Sequence, residues 1–209
     1  MRIIAGSSKG RTLDVPQGRD SRPILDRVKV SLFDRLGARL AVPGQLPPVA
    51  VLDLFSGGGS LGLECLSRGV AFCCFVERDR RALVTLRANL DRLGIIEEAR
   101  AVPADALTVR PPPPPDNRGY ELVFLDPPYA MSRDVGPQAP IPRLCHRLAR
   151  LPAVDPSALL ILRHESRVRF DVIETPELQV DERLEFGKMA ITVLRLEREA
   201  LPDADTTPR

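Results

Sequence analysis

From Val49 onward the chain alternates short β-branched and apolar runs with longer segments in which apolar residues recur every three or four positions. That alternation is the signature of βαβ units wound into a parallel sheet. Strands are predicted near Val49–Phe55, Ala71–Glu77, Ala99–Pro103, Tyr120–Leu125 and Ala158–His164. Helices are predicted near Ser60–Arg68, Arg80–Leu93 and Ile141–Leu151, the second aligning Leu83, Leu86, Leu90 and Leu93 on one face. After the fifth strand come two adjacent strand-like runs, Leu178–Phe186 and Met189–Glu197, joined at Gly187-Lys188. They read as an antiparallel hairpin that closes the sheet.

Residues 1–45 stand outside this alternation. Ile3–Gly6 and Leu13–Pro16 suggest a small hairpin, and a helix fits Arg27–Leu40 with Asp26 as N-cap and Val28, Leu32 and Leu36 on a shared face. Gly44–Pro48 is the joint to a main domain at 46–200, and residues 201–209 read as a disordered tail. Pro111–Pro115 is the one low-complexity stretch, expected as a stiff extended surface loop.

Charge changes this picture only locally. The net charge of 209 residues is +2, yet residues 1–39 hold nine Lys or Arg against four Asp. A basic arm beside a near-neutral domain suits an anionic partner, although a solvated, salt-bridged surface reads equally well. The longest apolar runs fall far short of the roughly 20 residues of a membrane span, and the first residues lack the pattern of a signal peptide. A cytoplasmic location is therefore expected. Cys65, Cys73, Cys74 and Cys145 have no C-x-x-C spacing and only His146 and His164 offer imidazole, so reduced packing cysteines and no metal are expected.

The chemistry lies where strands meet loops. Asp53 through Gly62 spans the turn from the first strand into a helix, and Phe55, Ser56, Gly57 and Gly59 form a loop that lets backbone approach a nucleotide-like cofactor. Its glycines also fit a dinucleotide fingerprint, so the loop alone does not separate NAD from S-adenosylmethionine. Glu77, about twenty residues on, is placed for a ribose's two hydroxyls, which both cofactors share. Asp105 follows the third strand, where it would accept from an adenine amino group while backbone beside it, at Ala106, bonds the ring; the bland alternative is a turn residue.

Leu125-Asp126-Pro127-Pro128-Tyr129 at the end of the fourth strand breaks the tie. A base's exocyclic amino group is a poor nucleophile because its lone pair is delocalised into the ring. Asp126 and the carbonyl of Pro127 can accept its two N–H bonds and aim the lone pair at a sulfonium methyl. Pro127 and Pro128 remove two backbone donors and fix φ, and Tyr129 offers a stacking face worth about 1–3 kcal/mol per base. The alternative is an ordinary β-turn.

With these residues in place, the chain resembles the bacterial small-subunit ribosomal RNA guanine-N2 methyltransferase family. The resemblance rests on Met1–Gly6 with Gly10-Arg11, Arg22-Pro23, Asp26–Lys29 with Leu32-Phe33, Asp53–Gly57, Leu61–Glu64, Ser67–Gly69, Phe75–Glu77, Asn89 and Leu125–Tyr129. It implies a Rossmann-like class I S-adenosylmethionine methyltransferase fold: an α/β, mostly parallel seven-stranded sheet with a C-terminal antiparallel hairpin and a small N-terminal extension. It further implies S-adenosylmethionine on the Phe55–Gly59 loop, Glu77 and Asp105, guanine on Asp126–Tyr129, and 16S rRNA in the 30S subunit or an assembly intermediate as substrate. The chain departs from the pattern at Lys9, at Ile24 where threonine is usual, and in the Pro111–Pro115 insertion.

Arg11, Arg22, Arg27 and Lys29 are the candidate phosphate contacts. Residues 130–142 read as a lid over the site or as a surface loop, and His164-Glu165 as a solvated strand-end pair or a border of the site. A DNA adenine-N6 methyltransferase shares the amino-group chemistry but usually adds a target-recognition region, for which this chain has no room. An NAD oxidoreductase lacks an evident hydride-transfer site, and a non-catalytic RNA-binding assembly factor has no need of Asp126 and Tyr129. A monomer is expected, since no long apolar stripe is unassigned.

Overall fold

A computed structural model of the protein describes residues 1–16, 24–40, 44–170, 173 and 175–198. Helix α1 (Asp26–Leu40) precedes β1 (Ala50–Leu54), α2 (Ser60–Ser67), β2 (Phe72–Glu77), α3 (Arg80–Leu93), β3 (Ala99–Pro103) and β4 (Tyr120–Leu125). Then follow α4 (Pro140–Leu148), β5 (Val154–Glu165), β6 (Leu178–Phe186) and β7 (Met189–Leu196). The strands form one seven-stranded sheet in the order β3-β2-β1-β4-β5-β7-β6. Pairings among β1 to β5 are parallel, and β7 is antiparallel to both β5 and β6.

Every residue of β1 and β2 is buried, as expected of parallel strands covered on both faces. Alternate residues feed two cores. Val51, Cys73, Phe75 and Phe124 pack under α1, α2 and α3, while Leu52, Cys74, Val76 and Val123 pack under α4. Adjacent Cys73 and Cys74 thus face opposite sides of the sheet, and all four cysteines are free and buried.

The N-terminal residues join the first core. Ile3, Leu13, Ile24, Val28, Leu32, Phe33 and Leu36 are all buried there, with Phe33 6.1 Å from the Phe124 ring. The expected hairpin is a single antiparallel bridge, Arg2 to Thr12, flanked by Ile3 N–H to Arg11 O at 3.0 Å and Leu13 N–H to Met1 O at 2.8 Å. Ser7 N–H donates to Ser67 O at 2.7 Å, and Ser67 Oγ returns a bond to Ala5 O at 2.6 Å. Asp26 begins α1 rather than capping it: its carboxylate accepts from Arg2 Nε at 2.8 Å.

Two boundaries differ from the sequence reading by three residues or more. Strand β5 begins at Val154, not Ala158, because Asp155-Pro156-Ser157 forms an irregularity against β4 between Tyr120 and Leu122. Helix α4 ends at Leu148, short of Leu151, with Pro152 soon after. Among the described residues, no helix is long and apolar enough to cross a membrane. The 201–209 tail lies outside the described residues.

Candidate functional site

The sheet's strand order reverses between β1 and β4, and the chain leaves their carboxyl ends in opposite directions. That opens the crevice in which open α/β sheets bind ligands. The glycine loop forms one wall. Phe55, Gly57 and Gly59 have φ of 60°, 58° and 85°; Phe55 is a side chain held in a left-handed conformation, the local strain typical of a ligand clamp. Hydrogen bonds hold the loop there: Ser56 N–H to Val76 O at 3.1 Å, Gly57 N–H to Glu77 Oε2 at 2.9 Å and Gly62 N–H to Asp53 Oδ2 at 3.0 Å. At Gly62 a Cβ would lie 2.4 Å from Phe75 and 2.6 Å from Cys73 Sγ, so only glycine lets α2 sit this close to β2.

Phe55 and Glu77 line a narrow hollow with Ala106, Pro128 and Met131. Glu77 is buried, and its Oε1 accepts from Asp79 N–H at 2.8 Å. Asp105 stands beside the hollow in a turn, accepting from Leu107 N–H at 2.9 Å and from Arg78 Nη1 at 3.1 Å. Asp53 lies beneath the loop and bonds it from below. Burial pushes its carboxyl up to about 8 against the Gly62 hydrogen bond, and the nearby Asp126 and Glu77 add to the rise. Ser56 Oγ and Ser60 Oγ are buried without a hydrogen-bond partner, and α2 starts at Gly59 without a side-chain cap. Orphaned hydroxyls beside a helix start are donors that a polar cofactor would satisfy.

At the end of β4, Asp126 N–H reaches back to Leu54 O at 3.4 Å, and its Oδ1 accepts from Arg163 Nε at 2.6 Å. Arg163, only 6% exposed, escaped the sequence reading; its one signal is a charge interrupting the apolar run of β5. The partnership follows from register: Leu125 pairs with Leu162, so the next residues, Asp126 and Arg163, are neighbours. Pro127 is buried, and among the described residues no donor reaches its carbonyl. Pro128 is exposed and Tyr129 half-buried, and a turn follows in which Met131 N–H donates to Pro128 O at 2.9 Å and Ser132 N–H to Tyr129 O at 3.1 Å.

The phosphate candidates divide. Arg11 and Arg27 are exposed, and Arg22 lies outside the described residues. Lys29 must be removed from the set: it is wholly buried, pairing with Glu64 Oε2 at 2.9 Å and donating to Arg2 O at 3.0 Å. Glu64 also accepts from Arg68 Nε at 2.9 Å and from the N–H groups of Ile4 and Ala5, so Lys29 belongs to a buried cluster that docks the N-terminus. His164 is likewise buried rather than solvated, bonded to Thr192 Oγ1 at 2.8 Å and edge-on to Phe170. Glu165 instead collects Arg133 and Arg167, which hold its carboxyl below the usual range. Residues 140–142 of the supposed lid are the first turn of α4, and Arg133 ties the remainder to β5.

A family model described as Conserved hypothetical protein 95 matches residues 1–195. The chain belongs to that family. Over 129 residues it is 40% identical to the Bacillus subtilis protein named "Putative rRNA methyltransferase YlbH", which covers 62% of this chain and 67% of that one. Over 129 residues it is 39% identical to Ribosomal RNA small subunit methyltransferase D of Escherichia coli, covering 62% of this chain and 60% of that one. The matched stretch therefore spans about 60% of that relative's length. Among solved structures, "Putative methyltransferase yhhF" from Escherichia coli superposes with a TM-score of 0.72 at 27% identity, covering 95% of this chain and 99% of that chain. The fold of this family member is that of the class I methyltransferases.

Proposed function

We propose that this protein transfers a methyl group from S-adenosylmethionine to the exocyclic N2 of a guanine in 16S rRNA of the small ribosomal subunit. One observation carries the reading: Asp126, with Oδ1 anchored by Arg163, stands next to a Pro127 carbonyl that no donor among the described residues reaches, at the rim of the Phe55–Glu77 hollow. The names of the rRNA methyltransferases among its relatives support the substrate class.

The Phe55–Gly59 loop, Ser56 Oγ, Glu77, Asp105 and Ala106 would hold the cofactor, which when bound supplies an electrophilic methyl on a sulfonium. The residues of this chain supply alignment. Asp126 Oδ2 and the Pro127 carbonyl accept the two N–H bonds of the guanine amino group and draw its nitrogen toward a tetrahedral shape. Because Arg163 pins the other carboxylate oxygen, Asp126 loses little freedom when substrate arrives. Its charge offsets the positive charge that develops on nitrogen, and Tyr129 stacks on the base once it has left its helix. No covalent intermediate on the protein is required. Arg11, Arg22 and Arg27 supply phosphate contacts on this reading.

The test is transfer of labelled methyl to 30S particles lacking the modification, followed by digestion and mass spectrometry of the nucleosides. N2-methylguanosine is expected, and Asp126→Ala should slow its formation by about two to three orders of magnitude in a protein that still folds, with a lowered thermal transition because the ion pair with Arg163 is lost. Wild-type transfer by the Asp126→Ala protein, or label appearing instead in N6-methyladenine of DNA, would overturn it.

A further inference from the structure

A second concavity lies apart from the crevice at β1 and β4. It is an open groove of about 840 Å³ between α4 and the strand connection that follows β3, lined by Arg110, Arg143, His146, Arg147 and Arg150 with Pro137 and Gln138 at one end. Among the described residues none of those four arginines has a carboxylate within salt-bridge distance, whereas Arg2, Arg35, Arg68, Arg78, Arg92 and Arg163 all do. Among the described residues Glu177 feels these cations weakly: its carboxyl is held down first by hydrogen bonds from Thr175 and its own backbone, and less by Arg150 and His146.

The cations also crowd one another. Arg147 is half-buried, with Nη1 on Val109 O at 2.6 Å, Nη2 on Ala106 O at 3.0 Å and a buried Nε that has no partner. Burial, and then the charge of Arg110, push its guanidinium below its usual range. Among the described residues this concentrated positive charge has no salt-bridged carboxylate, and an incoming polyanion would offset it.

Location makes the groove relevant to the reaction. Ala106 lines the cofactor hollow, and its carbonyl is held by Arg147 from the groove side, so one peptide segment separates the two. Pro137 and Gln138 belong to the segment that leaves Tyr129, so the groove starts where the catalytic motif ends and runs along α4 toward Arg150.

Resting on the functional reading above, we infer that this groove is a second RNA-binding surface: it takes the phosphodiester backbone of the strand flanking the target guanine, on the face of the sheet opposite the N-terminal arm. Arg143 and Arg150 are exposed and, among the described residues, make no side-chain hydrogen bond or salt bridge, so they carry the test.

The experiment compares wild type with the Arg143→Gln/Arg150→Gln double variant. Fluorescence anisotropy follows binding of a labelled rRNA fragment across a salt series, and methyl transfer gives kcat and KM. Losing two phosphate contacts should weaken binding on the order of tenfold at moderate salt and shrink the slope of log K against log salt by about 1.4. KM for RNA should rise with kcat and the affinity for S-adenosylhomocysteine unchanged. A double variant with wild-type affinity and slope, in a protein that methylates RNA normally, overturns the groove and leaves the functional reading standing. Wild type that neither binds nor methylates RNA overturns both. Polyglutamate that competes as well as RNA, with the same loss on substitution, would make the ligand an acidic polypeptide and also sink the inference.

Discussion

Asp53 is 1% exposed beneath the glycine loop, and its carboxyl is pushed up to about 8 from 3.8. Between those values the folded protein holds a proton that the unfolded chain has released. Its contribution to stability is therefore full below about pH 4 and is lost as pH rises through about 8. His164 acts in the opposite sense: burial lowers it to about 4, so its contribution is lost as pH falls from about 6.5 toward that value. The two slopes offset each other between pH 4 and 6.5, and the wild-type stability curve alone would hide both. The Asp53→Asn protein isolates one of them, since asparagine can still accept from Gly62 N–H without titrating. Relative to wild type it should gain about 1.4 kcal/mol per pH unit from roughly pH 4 to pH 8 in urea unfolding. A difference that stays constant with pH would mean that Asp53 is ionised throughout.

At the scale of elements, Asn89 of α3 joins two pieces of chain that are far apart in sequence. Its Oδ1 accepts from Asp14 N–H at 2.8 Å, and its Nδ2 donates to Asp14 O at 3.1 Å and Gly58 O at 2.9 Å. The N-terminal segment and the glycine loop are thereby latched to one helix, and a Cβ at Gly58 would press on Asp14 O at 3.1 Å. Asn89→Ala removes the partner of three part-buried backbone groups, so about 1–2 kcal/mol of stability should be lost. Amide exchange should speed up at Asp14 and around Gly58 together, and faster exchange at only one of them would refute the latch. Asn89 was legible in the sequence as a family residue but not as a latch, because its partners lie 75 and 31 positions away. The strands and helices were legible because their signal is local, and they went astray where a local signal misleads, as at Pro156 inside β5. Asp126 and Glu77 could be read from strand-end motifs. Arg163 could not, since only the β4–β5 register sets it against Asp126, and Lys29 was misread because nothing beside it in sequence announces Glu64.

For the whole molecule the sheet is a partition. The N-terminal segment, α1, α2 and α3 cover one face, α4 and the connection after β3 cover the other, and the rim that carries Asp126 lies between them at the carboxyl ends of β1 and β4. Arg11 and Arg27 are exposed on the first face, Arg143 and Arg150 on the second. A strand that presents its guanine at Asp126 and continues in both directions would meet one cationic patch on each side. Among the described residues the two patches share no side-chain partner, so their effects on binding should add rather than compensate. Arg11→Gln/Arg27→Gln should lower the salt slope by about 1.4, as expected for two lost phosphate contacts, and the quadruple variant with Arg143→Gln/Arg150→Gln by about twice that. Methyl transfer at saturating RNA should survive in all three proteins, because none of these residues touches the rim. A quadruple variant no weaker than either double would show that RNA uses the two patches as alternatives, and the two-sided path across the sheet would have to be given up.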